Sequence, residues 1–158
     1  MLELLNETPQ RLPLERFEET LNAYLNELGI TRIVTLILVD DATIHKLNRD
    51  HRSVDAPTDV LSYPLDELES ASMSVPPEVE QLGDIFISLE TAAKQAEEKG
   101  HGLESEVLTL AAHGITHLRG FDHPTEAAWQ TFHQAQNRVL ELHRTHDKTG
   151  EKTGRAER

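Results

Sequence analysis

Arg32 to Val39 reads RIVTLILV, a nearly continuous run of β-branched and aliphatic residues. A strand with one wet face alternates apolar and polar positions; this one does not, so it predicts a strand covered on both faces. Its neighbours can supply the covering. Upstream, Phe17, Leu21, Leu25 and Leu28 recur at helical spacing within Leu14 to Leu28, and Gly29 is the natural stop. Downstream, Asp40 or Asp41 caps a second helix that runs to about Asp50.

Further out the alternation continues. Leu2 to Leu5 predicts a short strand, TDVLSY (Thr58 to Tyr63) a second bordered by Pro57 and Pro64, and GDIFISL (Gly83 to Leu89) another. Thr91 to Lys99 reads as a helix closed by Gly100. The acidic, small-residue stretch from Asp66 to Gln81 predicts a long loop. After Gly102 comes a helix with Leu103, Val107, Leu110, Ala111, Gly114 and Leu118 on one stripe. Pro124 opens a last helix to about His146, and DKTGEKTGRAER has the composition of a disordered tail. The expected fold is therefore α/β: one domain over residues 1–146, a small mixed sheet of about four strands covered by helices, and a tail over 147–158.

Composition narrows the functional classes. The chain has 158 residues and no Cys, so disulfides and thiolate metal sites are excluded, and any soft metal must be held by His with or without a carboxylate. MLELLNETPQ has no basic flank or long apolar run, and no later stretch reaches membrane-spanning length, so a cytoplasmic protein with no membrane partner is expected. A net charge of −13 argues against sequence-blind nucleic-acid binding over a broad surface. HKLNRDHRS (His45 to Ser53) runs against that trend, gathering Lys46, Arg49 and Arg52.

The chemistry concentrates in HGITHLRGFDH, His113 to His123. His113 and His117 lie four residues apart, about 40° from each other on one helical face, and can share an ion. Gly120 can end that helix in the left-handed conformation and let the chain turn back to offer His123. Three imidazoles leave one tetrahedral corner open, the arrangement of a catalytic zinc site rather than a structural one. Nine His make a chance pair ordinary, but this triplet is more restrictive. Of the rest, His45, His101, His133, His143 and His146 lie in polar surroundings and are read as solvated.

The same spacing occurs in metzincin peptidases, where a Glu directly after the first His is the general base. Here that position is Gly114, so the likeness extends to metal geometry only. A closer match is to the YbeY family: HGITHLRGFDH resembles its HGxLHLxGYDH signature, LNRDHRSVDAPTDVLSYP (Leu47 to Pro64) its LNxxYRxxDxPTDVLSFP block, and LGDIFIS (Leu82 to Ser88) its LGDIxIS strand. Thr116, Phe121 and His51 depart from the usual Leu, Tyr and aromatic residue, and none removes a candidate ligand.

The resemblance implies a zinc-dependent endoribonuclease of ribosomal RNA maturation and ribosome quality control. Its substrate would be single-stranded RNA in the 16S precursor near the small-subunit 3′ end, and its partners small-subunit ribosomal proteins or an assembly GTPase. It carries His113, His117 and His123 over as ligands of one Zn2+, on a zincin-like helix and following turn, and Arg52 as the functional Arg. A guanidinium can clamp a phosphate through two hydrogen bonds; the alternative is an ordinary ion pair with Asp55 or Asp59. Lys46, Arg49 and Arg119 would add backbone contacts, while Tyr63, Phe86 and Phe121 are either stacking surfaces or, the preferred reading, core. Asp122 either orients an imidazole or caps the helix opening at Pro124; the roles of Asp59 and Asp84 stay open. Two rivals remain: a zinc peptidase or amidase using another carboxylate, and a non-catalytic, metal-stabilised ribosome assembly factor.

Overall fold

The computed structural model describes residues 1–64, 81–123 and 125–150. Among them, the order is β1 (Leu2–Asn6), α1 (Leu14–Glu27), β2 (Ile33–Val39), α2 (Asp41–Arg52), β3 (Val60–Pro64), β4 (Gln81–Ser88), α3 (Leu89–Lys99), α4 (Leu103–Leu118) and α5 (Glu126–Gly150). The anticipated loop from Asp66 lies outside the described residues except for Gln81, which opens β4. Pro124 and residues 151–158 also lie outside them, and α5 continues to Gly150.

The strands form one mixed sheet in the order β1-β2-β4-β3, with β1, β2 and β4 parallel and β3 antiparallel to β4. The covered strand anticipated from RIVTLILV is β2, an interior strand. Its Val34, Leu36 and Leu38 join Ile85 and Ile87 of β4 in the main core, with Phe17, Leu21 and Leu25 of α1, Leu108 and Ile115 of α4 and Val139 of α5. On the opposite face Ile37 and Val39 meet Leu61, Tyr63 and Ile44 of α2. Each fully buried aliphatic side chain contributes about 1.5–3 kcal/mol, which is why this strand carries apolar residues in both registers.

Local chemistry sets the ends of α2. Asp40 is its cap, accepting the Thr43 N–H at 2.8 Å, and this interaction with Thr43 holds the carboxyl below its ordinary pKa. Asp41, just inside, accepts the hydroxyls of Ser88 and Thr91 and so ties α2 to the start of α3. At the far end Ser53 takes the left-handed conformation with φ 60°, directing the chain toward β3.

Helix α4 is buried over more of its circumference than its stripe predicts. Val107, Leu110, Ala111, Gly114 and Leu118 are buried as expected, and so are Leu108, Ala112, Ile115 and Thr116. The sheet covers one side of the helix while α3 and α5 pack on others. Gly114 marks its approach to the sheet: a Cβ there would stand 2.8 Å from Cγ2 of Ile85. Among the described residues, no helix is long and apolar enough to cross a membrane.

Candidate metal centre

Helix α4 carries His113 and His117 on successive turns at its C-terminal end. Gly120 follows with φ 96°, a conformation that a β-carbon resists, and the Gly120 and Phe121 amides close the turn on the carbonyls of His117 and Thr116. The reversal brings His123 back over the helix end. One ring nitrogen from each of the three imidazoles then lies within 4.8 Å of the others.

Hydrogen bonding settles the state of one ring. His117 Nδ1 is 3.1 Å from the Phe121 carbonyl oxygen, which can only accept, so Nδ1 carries the proton and Nε2 presents its lone pair. That Nε2 stands 3.1 Å from Nε2 of His113. Two zinc-bound nitrogens at tetrahedral corners are separated by about 3.3 Å, so the pair is already spaced to share a cation.

Electrostatics favour the neutral, ligating forms. Burial, then the nearby His117 and His123, pushes the His113 pKa down to about 4. His117 is lowered as well, by burial first and His123 next. Protons therefore compete weakly for these nitrogens at neutral pH. Three imidazoles without a thiolate form a donor set that suits zinc, and among the described residues the group has no fourth His, Asp or Glu member.

His113 and His117 open onto a cleft of about 440 Å³ also lined by Arg52, Ser62, Phe121 and Asp122, among others. Arg52 reaches it from the last residue of α2. Its Nη2 donates to the Ser62 carbonyl at 2.9 Å, and its guanidinium carbon lies 5.5 Å from the centre of the Tyr63 ring. Among the described residues it forms no ion pair with Asp55 or Asp59; Asp55 is taken by His45 at 2.7 Å. A guanidinium has five N–H donors, so one carbonyl leaves most of the fork free for an anion.

The acids differ in their surroundings. Asp59 accepts the Val60 amide at 2.8 Å and the Gln95 side-chain amide at 3.2 Å, which joins the start of β3 to α3. Burial raises the pKa of Asp84. Asp122 accepts the His123 amide at 2.8 Å and does not cap the last helix. That cap is Thr125, whose Oγ1 accepts from the Ala128 amide at 3.1 Å, because α5 begins only at Glu126.

Two further expectations change. Phe121 is not core but 42% exposed at the cleft rim, with the Arg119 guanidinium 5.1 Å from its ring centre, because the Gly120 turn carries it outward. His143 is not solvated but 6% exposed, bonded to Thr20, Arg16 and Glu104 where α5 crosses α1. Tyr63 is buried as anticipated; Phe86 is half-buried against it, and His51 meets Tyr63 edge-on at 5.6 Å. Arg49 turns to Asp50, and Lys46 is exposed.

Sequence reasoning missed the aromatic wall behind the three imidazoles. Phe132 is buried with its ring 4.8 Å from those of His113 and His117 and 4.9 Å from that of His123. Trp129 lies parallel to His123. The available signal was two large aromatics three residues apart near the start of the helix that follows the third His.

Comparison with known proteins agrees along most of the chain. A family model described as endoribonuclease YbeY matches residues 5–144. The endoribonuclease YbeY of Thermus thermophilus is 45% identical over 138 residues, covering 87% of this chain and 96% of the relative. That of Deinococcus radiodurans is 47% identical over 118 residues, covering 68% and 73%. The solution structure of TM1509 from Thermotoga maritima superposes with a TM-score of 0.63 at 26% identity, covering 98% of this chain and 99% of that one.

Proposed function

The chain belongs to the endoribonuclease YbeY family, and from that membership we propose that it is a zinc-dependent endoribonuclease cutting phosphodiester bonds in single-stranded RNA. One observation carries the reading: three imidazole nitrogens lie within 4.8 Å of one another, and two of those rings, His113 and His117, line a cleft with Arg52. His113, His117 and His123 would hold the ion. When bound, zinc supplies Lewis acidity beside the scissile phosphate.

The other residues bind and orient. Arg52 clamps the phosphate and stabilises charge developing on its oxygens; Ser62 and Tyr63 restrict the swing of its guanidinium. Phe121, exposed and flanked by Arg119, offers a ring on which an unpaired base can stack. Lys46 and Arg49 attract the backbone on approach. With a net charge of −13 these cations are a local exception, which favours a short single-stranded contact over a broad duplex footprint. Family resemblance supports the 16S ribosomal RNA precursor near its 3′ end as the substrate. It also supports a cytoplasmic role in ribosome maturation and quality control, beside small-subunit proteins or an assembly GTPase.

Gly114 faces the sheet against Ile85, so a peptidase built on this centre would have to take its general base from elsewhere in the chain. The test is to assay zinc-loaded protein on single-stranded RNA and on casein, beside Arg52→Ala and His117→Ala. RNA cleavage lost in both variants, with Arg52→Ala still binding zinc, is the expected result. Casein cleavage lost in His117→Ala with no RNA cleavage in the wild type would favour the peptidase. No cleavage of either substrate would favour the assembly factor.

A further inference from the structure

His117 and His123 are steered by different means. The His117 ring is fixed by its hydrogen bond to the Phe121 carbonyl, a common device for setting the plane and tautomer of a metal-binding imidazole. His123 sits in the turn after α4, outside any helix, and among the described residues only its backbone amide is seen in a hydrogen bond. Phe132 meets its ring edge-on at 4.9 Å, and Trp129 lies over its face. The His123 and Trp129 ring centres are 4.0 Å apart and the planes are inclined by 17°. Trp129 stands in the first turn of α5, which Phe132 anchors in the interior one turn later, so the indole rests on a firmer base than the turn it faces.

We infer that Trp129 is the positioning residue of His123, its indole face doing for that ring what the Phe121 carbonyl does for His117. Tilting the imidazole off the indole loses face contact, so the stack sets the ring plane. It leaves the choice of tautomer to the ligand. Pre-orientation of this kind lowers the cost of recruiting a third ligand from outside the helix.

This inference rests on the metal reading of the three-His group, and the experiment separates the two. Trp129 is the only Trp in the chain, so its fluorescence reports on the stack directly. Metal-free wild type, Trp129→Phe, Trp129→Leu and His123→Ala are titrated with zinc against a competing chelator, following occupancy and, where the indole remains, emission. Wild-type emission is expected to change saturably at one zinc per chain, and that change should vanish in His123→Ala. Trp129→Phe keeps a flat ring and should bind within about threefold of wild type, whereas Trp129→Leu keeps apolar bulk but cannot stack and should bind about 10- to 100-fold more weakly. The thermal unfolding of metal-free Trp129→Leu should match that of Trp129→Phe.

Trp129→Leu binding as tightly as wild type, or Trp129→Phe falling as far as Trp129→Leu, overturns the inference. So does a Trp129→Leu chain that loses its metal-free fold, since the indole is then a structural anchor. A wild type that takes up no stoichiometric zinc overturns the metal reading itself.

Discussion

Helix α4 has a polar cluster at each end, and the two are built on opposite principles. In its first turn Glu106 is completely buried, yet its carboxylate accepts from Lys99 Nζ at 3.1 Å, at the end of α3, and from His101 Nε2 at 2.6 Å, in the turn after it. In its last turns His113 and His117 are half-buried and their Nε2 atoms face each other. The first cluster supplies its own counter-charge in Lys99; the second gathers three imidazole nitrogens within 4.8 Å of one another. A polar group buried with its partners holds a fold together, whereas convergent lone pairs hold a place for a ligand. The same helix therefore serves as a latch at one end and the proposed metal centre at the other.

The sharpest break between the ends is expected from His117→Ala. Under the proposed function it abolishes stoichiometric zinc binding and lowers RNA cleavage by roughly a thousandfold or more, while metal-free thermal stability stays near wild type. Atomic absorption beside a cleavage assay checks both halves. At the other end, the double variant Lys99→Ala with His101→Ala leaves Glu106 buried without a counter-charge. It should cost about 3 kcal/mol in urea unfolding with zinc affinity unchanged. A double variant as stable as wild type would remove the latch from the comparison.

Arg52→Ala should fold, bind zinc as wild type does and lose about a hundredfold in cleavage, measured at saturating metal. Lys at the same position should restore only part, since an ammonium is a point charge rather than a fork.

The smallest effect is on pH dependence. The His113 pKa is about 4 in the folded chain against an ordinary 6.5, so the unfolded chain takes up a proton first as pH falls. The stability tied to this group is fully present above about pH 6.5 and is lost as pH drops toward 4. On the order of 2 kcal/mol should disappear over that window in metal-free wild type, and less in His113→Gln, by urea unfolding at stepped pH. Equal losses in the two proteins would show that burial of this imidazole is not what sets the slope.

The three-His cluster was legible because its information is local: a helical repeat places His113 and His117 together, and Gly120 brings His123 back within three residues. The β2 strand was legible for a related reason, since burial on two faces leaves no polar register to hide the pattern. Arg52 was readable only through resemblance, because its neighbours in space, Ser62 and His117, come from β3 and α4. Asp122 was left open between orienting an imidazole and capping because cap residues are interchangeable in composition, and the helix start at Glu126 rather than Pro124 is what gives the cap to Thr125. His143 was misread because its partners Arg16, Thr20 and Glu104 lie on two other helices.

Sequence alone determined the α/β alternation, the three convergent imidazoles and the turn that joins them, since each follows from backbone periodicity over a few residues. Only the tertiary structure decided that Arg52 faces those imidazoles, that Phe132 and Trp129 wall them in, and that Gly114 is spent on packing against the sheet. Contacts of that kind depend on how separate elements dock, and docking is set by shape and burial summed over the whole core rather than by any single stretch of chain.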